Sequence, residues 1–581
     1  MGTAMKRRLG AVGCALLLLL CLPLVKPWLD MGTMDDVSYT RSAQMLAQTG
    51  HIVYNGWATA MLGWQLYWGA LFIKLFGFSF NVVRLSMLPV AMATAFISQR
   101  SMVRAGLTER NSTLATLTLV LSPMFLPLTF SFMSDVPGML VIVLCFYGCL
   151  RALQASSDRN ACLWLAFTAI TNGVGGSVRQ IAWLGLLVMI PCALWMLRKR
   201  RAVLVWGSVS VVCGLGIMFA TMLWFRHQPM SVREPLWLGA VSRRRALITI
   251  DQMAKLLFDA PVFLLPLLFA YVPRVPWKDR KARAAFVGTI SLVILALLVI
   301  QPQPSVWLEP SMRDYVTEHG VVDGSYINGL RPVILTPSIR VVLTGMVLAG
   351  IGSVAALLRV DRPLGRSSEE ASSGAFTWPT LFALIIPFSA VYLGLMLSRA
   401  GIYMLVDRYV LVLLFFLLLL LTLYYQQRIS PQLPRYCFVL LAIVAAYGVA
   451  ATHDAFAMLR ARLQAIREVQ SRGVPDIHID GGFEFNMSSD LSAGGVLIPF
   501  EGIGGPPIPV ENDPDLVCEP ELGPNMPLVH PRYALSFDPN ACGGPVGIPP
   551  VPYREWLGPR EANIYVVSSR KQPPGPARGQ N

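Results

Sequence analysis

The chain has 581 residues, 54% of them hydrophobic and only 14% charged, with a mean hydropathy of +0.55 and a net charge of +15. A soluble fold keeps about a quarter of its residues charged, so this composition excludes an ordinary globular protein, a disordered chain and a small disulfide scaffold, and describes a membrane protein. The positive charge sits in short Lys/Arg clusters between apolar runs, which is how a polytopic protein fixes its orientation, so it reports topology and not a nucleic-acid partner.

Met5-Lys6-Arg7-Arg8 followed by the apolar run Cys14 to Leu22 has the look of a signal peptide, but no small-x-small cleavage site follows and the run continues to Leu29. It is expected to be an uncleaved first helix. Further apolar stretches lie near 80–103, 111–131, 136–152, 161–177, 180–197, 202–225, 252–272, 284–301, 340–358, 377–398, 408–426 and 436–452. Each is close to the ~20 residues that cross a bilayer, which makes about thirteen spans.

The stretch Ala60 to Phe76 is placed at the interface instead, where Trp57, Trp64, Tyr67 and Trp68 suit the headgroup level. With that placement, the basic segments Arg100 to Arg110, Arg151 to Arg159, Arg198 to Arg201, Arg274 to Arg283, Arg359 to Arg366 and Arg428 to Arg435 all share the side of the N-terminus, the cytoplasmic side by the positive-inside rule. Only Arg243-Arg244-Arg245 falls outside. The outer regions are then a first loop from about 30 to 79, loops at 226–250 and 301–340, and everything after about His453.

The chain therefore divides into a membrane domain, 1–452, and an extracytoplasmic Gly/Pro-rich tail, 453–581. The tail reads as a small irregular α+β domain that opens on a helix, Asp454 to Ser471, continues in short strands such as Gly495 to Phe500 and Ile564 to Val567, and ends in about ten disordered residues. Eight of the ten cysteines lie in or beside apolar runs. The other two, Cys518 and Cys542, are alone in an oxidising compartment and are expected to pair; two unrelated buried thiols are the other reading. With no CxxC or HExxH and six scattered histidines, no protein-only zinc site is indicated.

Charge near membrane depth is expensive, so ionisable residues at the outer ends of spans are candidates for chemistry. Asp35-Asp36 opens the first outer loop, ahead of a helical segment Val37 to Gln48 that stops at Gly50. On spacing alone such acids cap a helix and complement its dipole, and that reading outweighs catalysis. Asp135, in Ser134-Asp135-Val136-Pro137, stands where the third span ends and the fourth begins, and capping explains it too. Arg179 lies between two spans and Arg408, in Val406-Asp407-Arg408-Tyr409, heads the twelfth. A lone interfacial Arg usually snorkels. Two on the same face as three aspartates can grip a phosphate.

The order of the acidic pair, the helix ending at Gly50, the aromatic helix ending in Leu75-Phe76-Gly77, Arg84-Leu85 in the second span, Ser134-Asp135-Val136-Pro137 after the third and Arg408-Tyr409 heading a late one resembles the GT-C glycosyltransferases. Within them the chain looks most like the branch of protein O-mannosyltransferases and bacterial aminoarabinose transferases. The resemblance covers residues 1–230, the rest by layout alone.

It implies a mainly α polytopic fold with juxtamembrane helices in the first outer loop. It also implies a hexosyl- or pentosyltransferase of a bacterial inner membrane that moves a sugar from a polyprenyl-phosphate donor to a hydroxyl of a lipid, protein or polysaccharide on the periplasmic side. The family's first acid is matched by Asp35, beside the reacting hydroxyl, with Asp36 next to it and Asp135 shaping the same cavity. The bottom-up chemistry agrees: a hydroxyl needs a carboxylate to accept its proton, and a phosphate leaves when cations absorb its charge, for which Arg179 and Arg408 are the candidates. Where relatives carry Lys-Pro or Pro-Pro at the interfacial helix, this chain has Ala58-Thr59-Ala60-Met61, and Lys74 or Arg243 to Arg245 are the substitutes at hand. A divalent cation, Mg²⁺ or Mn²⁺, is compatible with three acids but not indicated. The rival readings are a multi-span transporter or flippase of a lipid or lipid-linked sugar, and a catalytically silent scaffold.

Overall fold

The structure is a computed structural model that describes residues 8–232, 242–322, 327–360, 376–400, 405–497, 515–520, 523–559 and 561–571. Among them, eight helices are long and apolar enough to cross a membrane: Phe80–Ala105, Asp135–Leu153, Arg201–Arg226, Arg280–Ile300, Pro337–Leu358, Trp378–Arg399, Asp407–Arg428 and Tyr436–Gln470. Leu9–Val25 and Gln180–Met196 are shorter apolar helices, and Asp158–Gly175 has a more polar face that buries Thr168 and Asn172. Two crossings are broken. Glu109–Val120 gives way at Ser122 to a short Phe125–Thr129 segment containing Pro127, and Ala260–Leu264 runs through Pro266 into Leu265–Leu268. Together these make a mainly helical, multi-pass membrane protein, with eight helices of spanning length among the described residues where about thirteen spans are expected.

The alternation of ends is visible in the contacts. At one end Arg110 donates to Gln432 at 2.6 Å, Asn111 donates to Gln426 at 2.9 Å and Arg200 pairs with Asp158 at 2.6 Å, so the basic connections meet there. At the other end the first loop, the 301–336 loop and the tail converge. Arg84, 2% exposed, donates to the carbonyls of Leu29 and Met31 at 2.6 Å each, and Arg331 pairs with Glu555 of the tail at 3.0 Å.

The aromatic helix spans Gly63–Phe76, because Leu62 sits in the left-handed region at φ 57° and starts the helix later than Ala60. Its indole N–H groups donate to carbonyls at span ends, Trp64 to Gly175 at 3.1 Å and Trp68 to Ser86 at 2.7 Å, which lays it across the ends of the bundle. The stretch near 252–272 departs from a simple span. Ser242 caps an amphipathic helix, Arg243–Asp259, and only the broken segment after Asp259 enters the bundle. Arg243 to Arg245 occupy its exposed first turn.

The tail does not begin with a separate helix at Asp454. Tyr436–Gln470 is one helix of 35 residues, since Ala, Leu, Met and Arg carry the helix past Thr452 with no Gly or Pro to stop it. A four-stranded sheet packs on its outer half. Ile479–Asp480 pairs parallel with Tyr533–Ser536, which pairs antiparallel with Ala562–Ser568, which pairs antiparallel with Val551–Tyr553, in register Ala534 to Val567 and Val551 to Ile564. The helix Phe483–Gly494 fills the space beside it. Cys518 and Cys542 form a disulfide. The expected strand from Gly495 runs beyond Leu497 outside the described residues, as do the final ten residues, 572–581.

Candidate active site

Asp35 stands at the start of the helix Asp36–Thr49 but makes no side-chain capping bond. Its Oδ1 accepts the indole N–H of Trp57 at 2.9 Å and its Oδ2 faces Arg408 Nη2 at 3.4 Å. Asp135 opens the helix Asp135–Leu153, and Ser134 before it makes no side-chain cap either. One Asp135 oxygen receives Arg179 Nη1 and the other faces Arg408 Nε at 3.5 Å. The capping explanation for both acids therefore gives way to a shared charged cluster: Asp35 and Asp135 on either side of Arg408, and Arg179 beyond Asp135.

Aromatic rings hold the guanidinium groups. Arg179 lies over Tyr409 at 4.7 Å and Arg408 over Tyr315 at 5.9 Å, while the Tyr392 hydroxyl donates to the Tyr409 carbonyl at 2.8 Å. The pocket runs from Asp135, Arg179 and Arg408 to Met139, Ile142 and Leu411, charged at one end and apolar at the other. The two acids differ in access: the Asp35 side chain is 26% exposed and that of Asp135 only 3%. Asp135 is committed to two guanidiniums. Asp35 keeps lone pairs open, which suits it to accept a proton.

Asp36 takes another part. Its carboxylate turns away and accepts Thr33 N–H at 2.6 Å, Thr33 hydroxyl at 2.8 Å and Phe132 N–H at 3.1 Å, so it ties the first loop to the end of the third span. Burial pushes this carboxyl up to about 6, against the Arg84 guanidinium and the three donors. A carboxyl whose folded-state pKa is raised gives stability that is complete below the ordinary value of about 4 and is lost as pH rises through about 6. The melting temperature of the solubilised protein should accordingly fall relative to Asp36→Asn between about pH 4 and 7, by the equivalent of about 2 kcal/mol, in a thermal-unfolding series.

Lys74, Arg243 and Arg244 are exposed, and no contact among the described residues joins them to this pocket. No group of three or more His, Cys, Asp and Glu is arranged among the described residues to hold a metal ion. Two residues of the site lay outside the sequence reading. Trp57 was assigned to the headgroup level, yet it holds Asp35, and its own ring packs on Phe483 of the tail at 5.5 Å. Asp407 sits in the quoted Val406-Asp407-Arg408-Tyr409 and folds the 301–336 loop onto the site by accepting the N–H groups of Tyr315 at 2.9 Å and Val316 at 2.8 Å.

Fold and site thus define a multi-pass helical membrane protein with an acid and guanidinium pocket at one end of its bundle. The chain is similar to two structures of ArnT from Cupriavidus metallidurans. In the apo state the identity is 13% and the TM-score 0.37, over 97% of this chain and 99% of that one. Bound to undecaprenyl phosphate the identity is 14% and the TM-score 0.37, over 99% and 100%. It is also similar to the S. cerevisiae protein O-mannosyltransferase Pmt1-Pmt2 complex bound to the sugar donor, at 15% identity and a TM-score of 0.32, over 40% of this chain and only 35% of that one. These are GT-C glycosyltransferases. No protein-family model matches the chain, and no curated protein matches it.

Proposed function

We propose that this protein is an integral membrane glycosyltransferase of the GT-C type, moving a sugar from a polyprenyl-phosphate donor to an acceptor hydroxyl on the side of the membrane that carries the tail. In a bacterium this is the periplasmic face of the inner membrane. The observation that carries the reading is the meeting of Asp35 and Asp135 on Arg408, with Arg179 on Asp135, beside a pocket that Asp135, Arg179 and Arg408 line together with the apolar Met139, Ile142 and Leu411. Asp35 takes the proton of the acceptor hydroxyl, whose oxygen attacks the anomeric carbon. The bond to phosphate breaks, and the charge that appears on the leaving phosphate is met by the two guanidiniums. Asp135 holds both in place. A transporter would be expected to carry its charges near mid-bilayer on broken helices, and here they lie at helix starts.

The test is transfer by the purified full-length protein in liposomes from a radiolabelled polyprenyl-phosphate sugar to an extract of cell-envelope acceptors. Wild type should form labelled product, and Asp35→Asn should lose about 10²- to 10⁴-fold in rate with an unchanged melting temperature. Full transfer by Asp35→Asn would remove Asp35 as the base. Movement of labelled lipid across the bilayer without product would make the protein a flippase.

A further inference from the structure

The arginines at the start of the helix Arg243–Asp259 stand on the outer side, against the positive-inside pattern. Cations in a first turn oppose the helix dipole, and no contact among the described residues carries Arg243 or Arg244 to the pocket, so neither helix formation nor the reaction accounts for them. The helix they open has three sides. On one, Met253 and Leu256 are buried, Thr249 donates to the Ala400 carbonyl at 2.7 Å and Gln252 accepts the Leu405 N–H at 2.9 Å. On the next, Asp251 and Lys255 pair at 2.8 Å, with Arg244 on the same side toward the N-terminus. On the third, Leu247, Ile250 and Leu257 form a row 57%, 49% and 49% exposed, and Arg243 heads it.

An apolar row with a basic end is the pattern of a helix that lies in the plane of a bilayer surface, its leucines among the upper acyl chains and its arginines among the headgroups. The chain places this helix at that depth: it ends at Asp259, and the next residues, Ala260–Leu264 and Leu265–Leu268, enter the bundle. The arginines decide which lipid. Zwitterionic headgroups offer them no net charge, whereas anionic headgroups neutralise both the guanidiniums and the partial charge of the helix N-terminus. The same helix is tied to Arg408 from both sides. Leu405, held by Gln252, lies three residues before Arg408, and Asp259 accepts the N–H of Ser311 at 2.8 Å, four residues before the Tyr315 whose ring lies against Arg408.

We propose that Arg243–Asp259 is a docking surface for the anionic phospholipids of the outer leaflet, and that seating it there fixes the two segments that set Arg408. Leu247, Ile250 and Leu257 enter the border of the acyl chains, and Arg243 and Arg244 take lipid phosphates. The occupant is bilayer phospholipid rather than the sugar donor, because the row lies on a different side of the helix from Thr249 and Gln252, which face the segment leading to Arg408. Docking stands on the helix alone. Its effect on transfer rests on the glycosyltransferase reading.

The experiment uses the full-length protein in nanodiscs of phosphatidylcholine with or without phosphatidylglycerol. Amide hydrogen exchange over residues 243–259 should slow when phosphatidylglycerol is present. The affinity for that lipid, read by titrating it, should weaken about fivefold in Arg243→Gln or Arg244→Gln and about 25-fold in the double variant, with high salt acting in the same direction. Leu247→Gln with Leu257→Gln should exchange fast in either lipid at an unchanged melting temperature. Wild-type exchange that is the same in both lipids, a lipid response that the double arginine variant retains, or slow exchange in the double leucine variant would each overturn the proposal. Transfer from the labelled donor in liposomes of the same two compositions is the second arm. Wild type should be several-fold faster with phosphatidylglycerol, and the double arginine variant should be indifferent to it and equal to wild type in phosphatidylcholine alone. A donor KM raised in that variant equally in both lipids would make the arginines donor contacts and overturn the choice of lipid. If exchange responds as stated while no transfer occurs in any lipid, the glycosyltransferase reading fails and the docking stands.

Discussion

Arg408→Lys is expected to lower the transfer rate about 10²- to 10³-fold, more than Arg179→Lys, with the fold intact. Three nitrogens of Arg408 each face a different partner: Nη1 the Met34 sulfur at 3.6 Å, Nη2 Asp35 at 3.4 Å and Nε Asp135 at 3.5 Å. A lysine ammonium is a single point on a flexible stem and cannot bridge the two acids while turning a donor toward phosphate. Arg179 pairs with Asp135 alone, so a lysine there preserves more of the arrangement. The measurement is kcat in the liposome assay beside melting temperature. A rate within threefold of wild type for Arg408→Lys would mean that the guanidinium does not meet the leaving group.

The second large effect is on stability. Glu484 of the tail pairs with Arg462 at 2.6 Å, both side chains 1% exposed, and its other oxygen accepts the N–H of Met34 at 3.1 Å, one residue before Asp35. Removing one member of a buried pair leaves the other charged without a partner, so Glu484→Ala should cost about 3–5 kcal/mol. Thermal unfolding and proteolysis of the tail would report it. The double variant Arg462→Met with Glu484→Leu should recover most of the loss, because two apolar side chains need no partner. Its transfer rate should stay low, since Met34 loses its acceptor and the start of the first loop its anchor. Recovery of stability without that residual loss of rate would confine the pair to holding the tail.

What the sequence made legible follows from the cost of charge in lipid. Asp35, Asp135, Arg179 and Arg408 stand out because each interrupts or ends an apolar run, and the structure gathers these four. Asp36 stood out equally, and nothing local could show that its carboxylate turns to Thr33 and Phe132. The 301–336 loop is long and polar with no periodicity, and its place over the site depends on the backbone bonds of Tyr315 and Val316 to Asp407 about ninety residues away. The tail was legible only as a composition. Its parallel pairing of Ile479 with Tyr533 joins segments more than fifty residues apart, and the Ala, Leu and Arg run across Thr452 hid the absence of a boundary there.

That missing boundary has a mechanical meaning. Tyr436–Gln470 is a strut of about 52 Å, rooted in the bilayer and bearing on its outer half the Arg462 that holds Glu484. One residue added between Ala455 and Arg460 would turn everything beyond it by about 100° and swing the guanidinium off its target, whereas the loops elsewhere can absorb a change of length. Pitch and phase of a single rod thus set the azimuth at which the tail meets the start of the first loop beside Asp35.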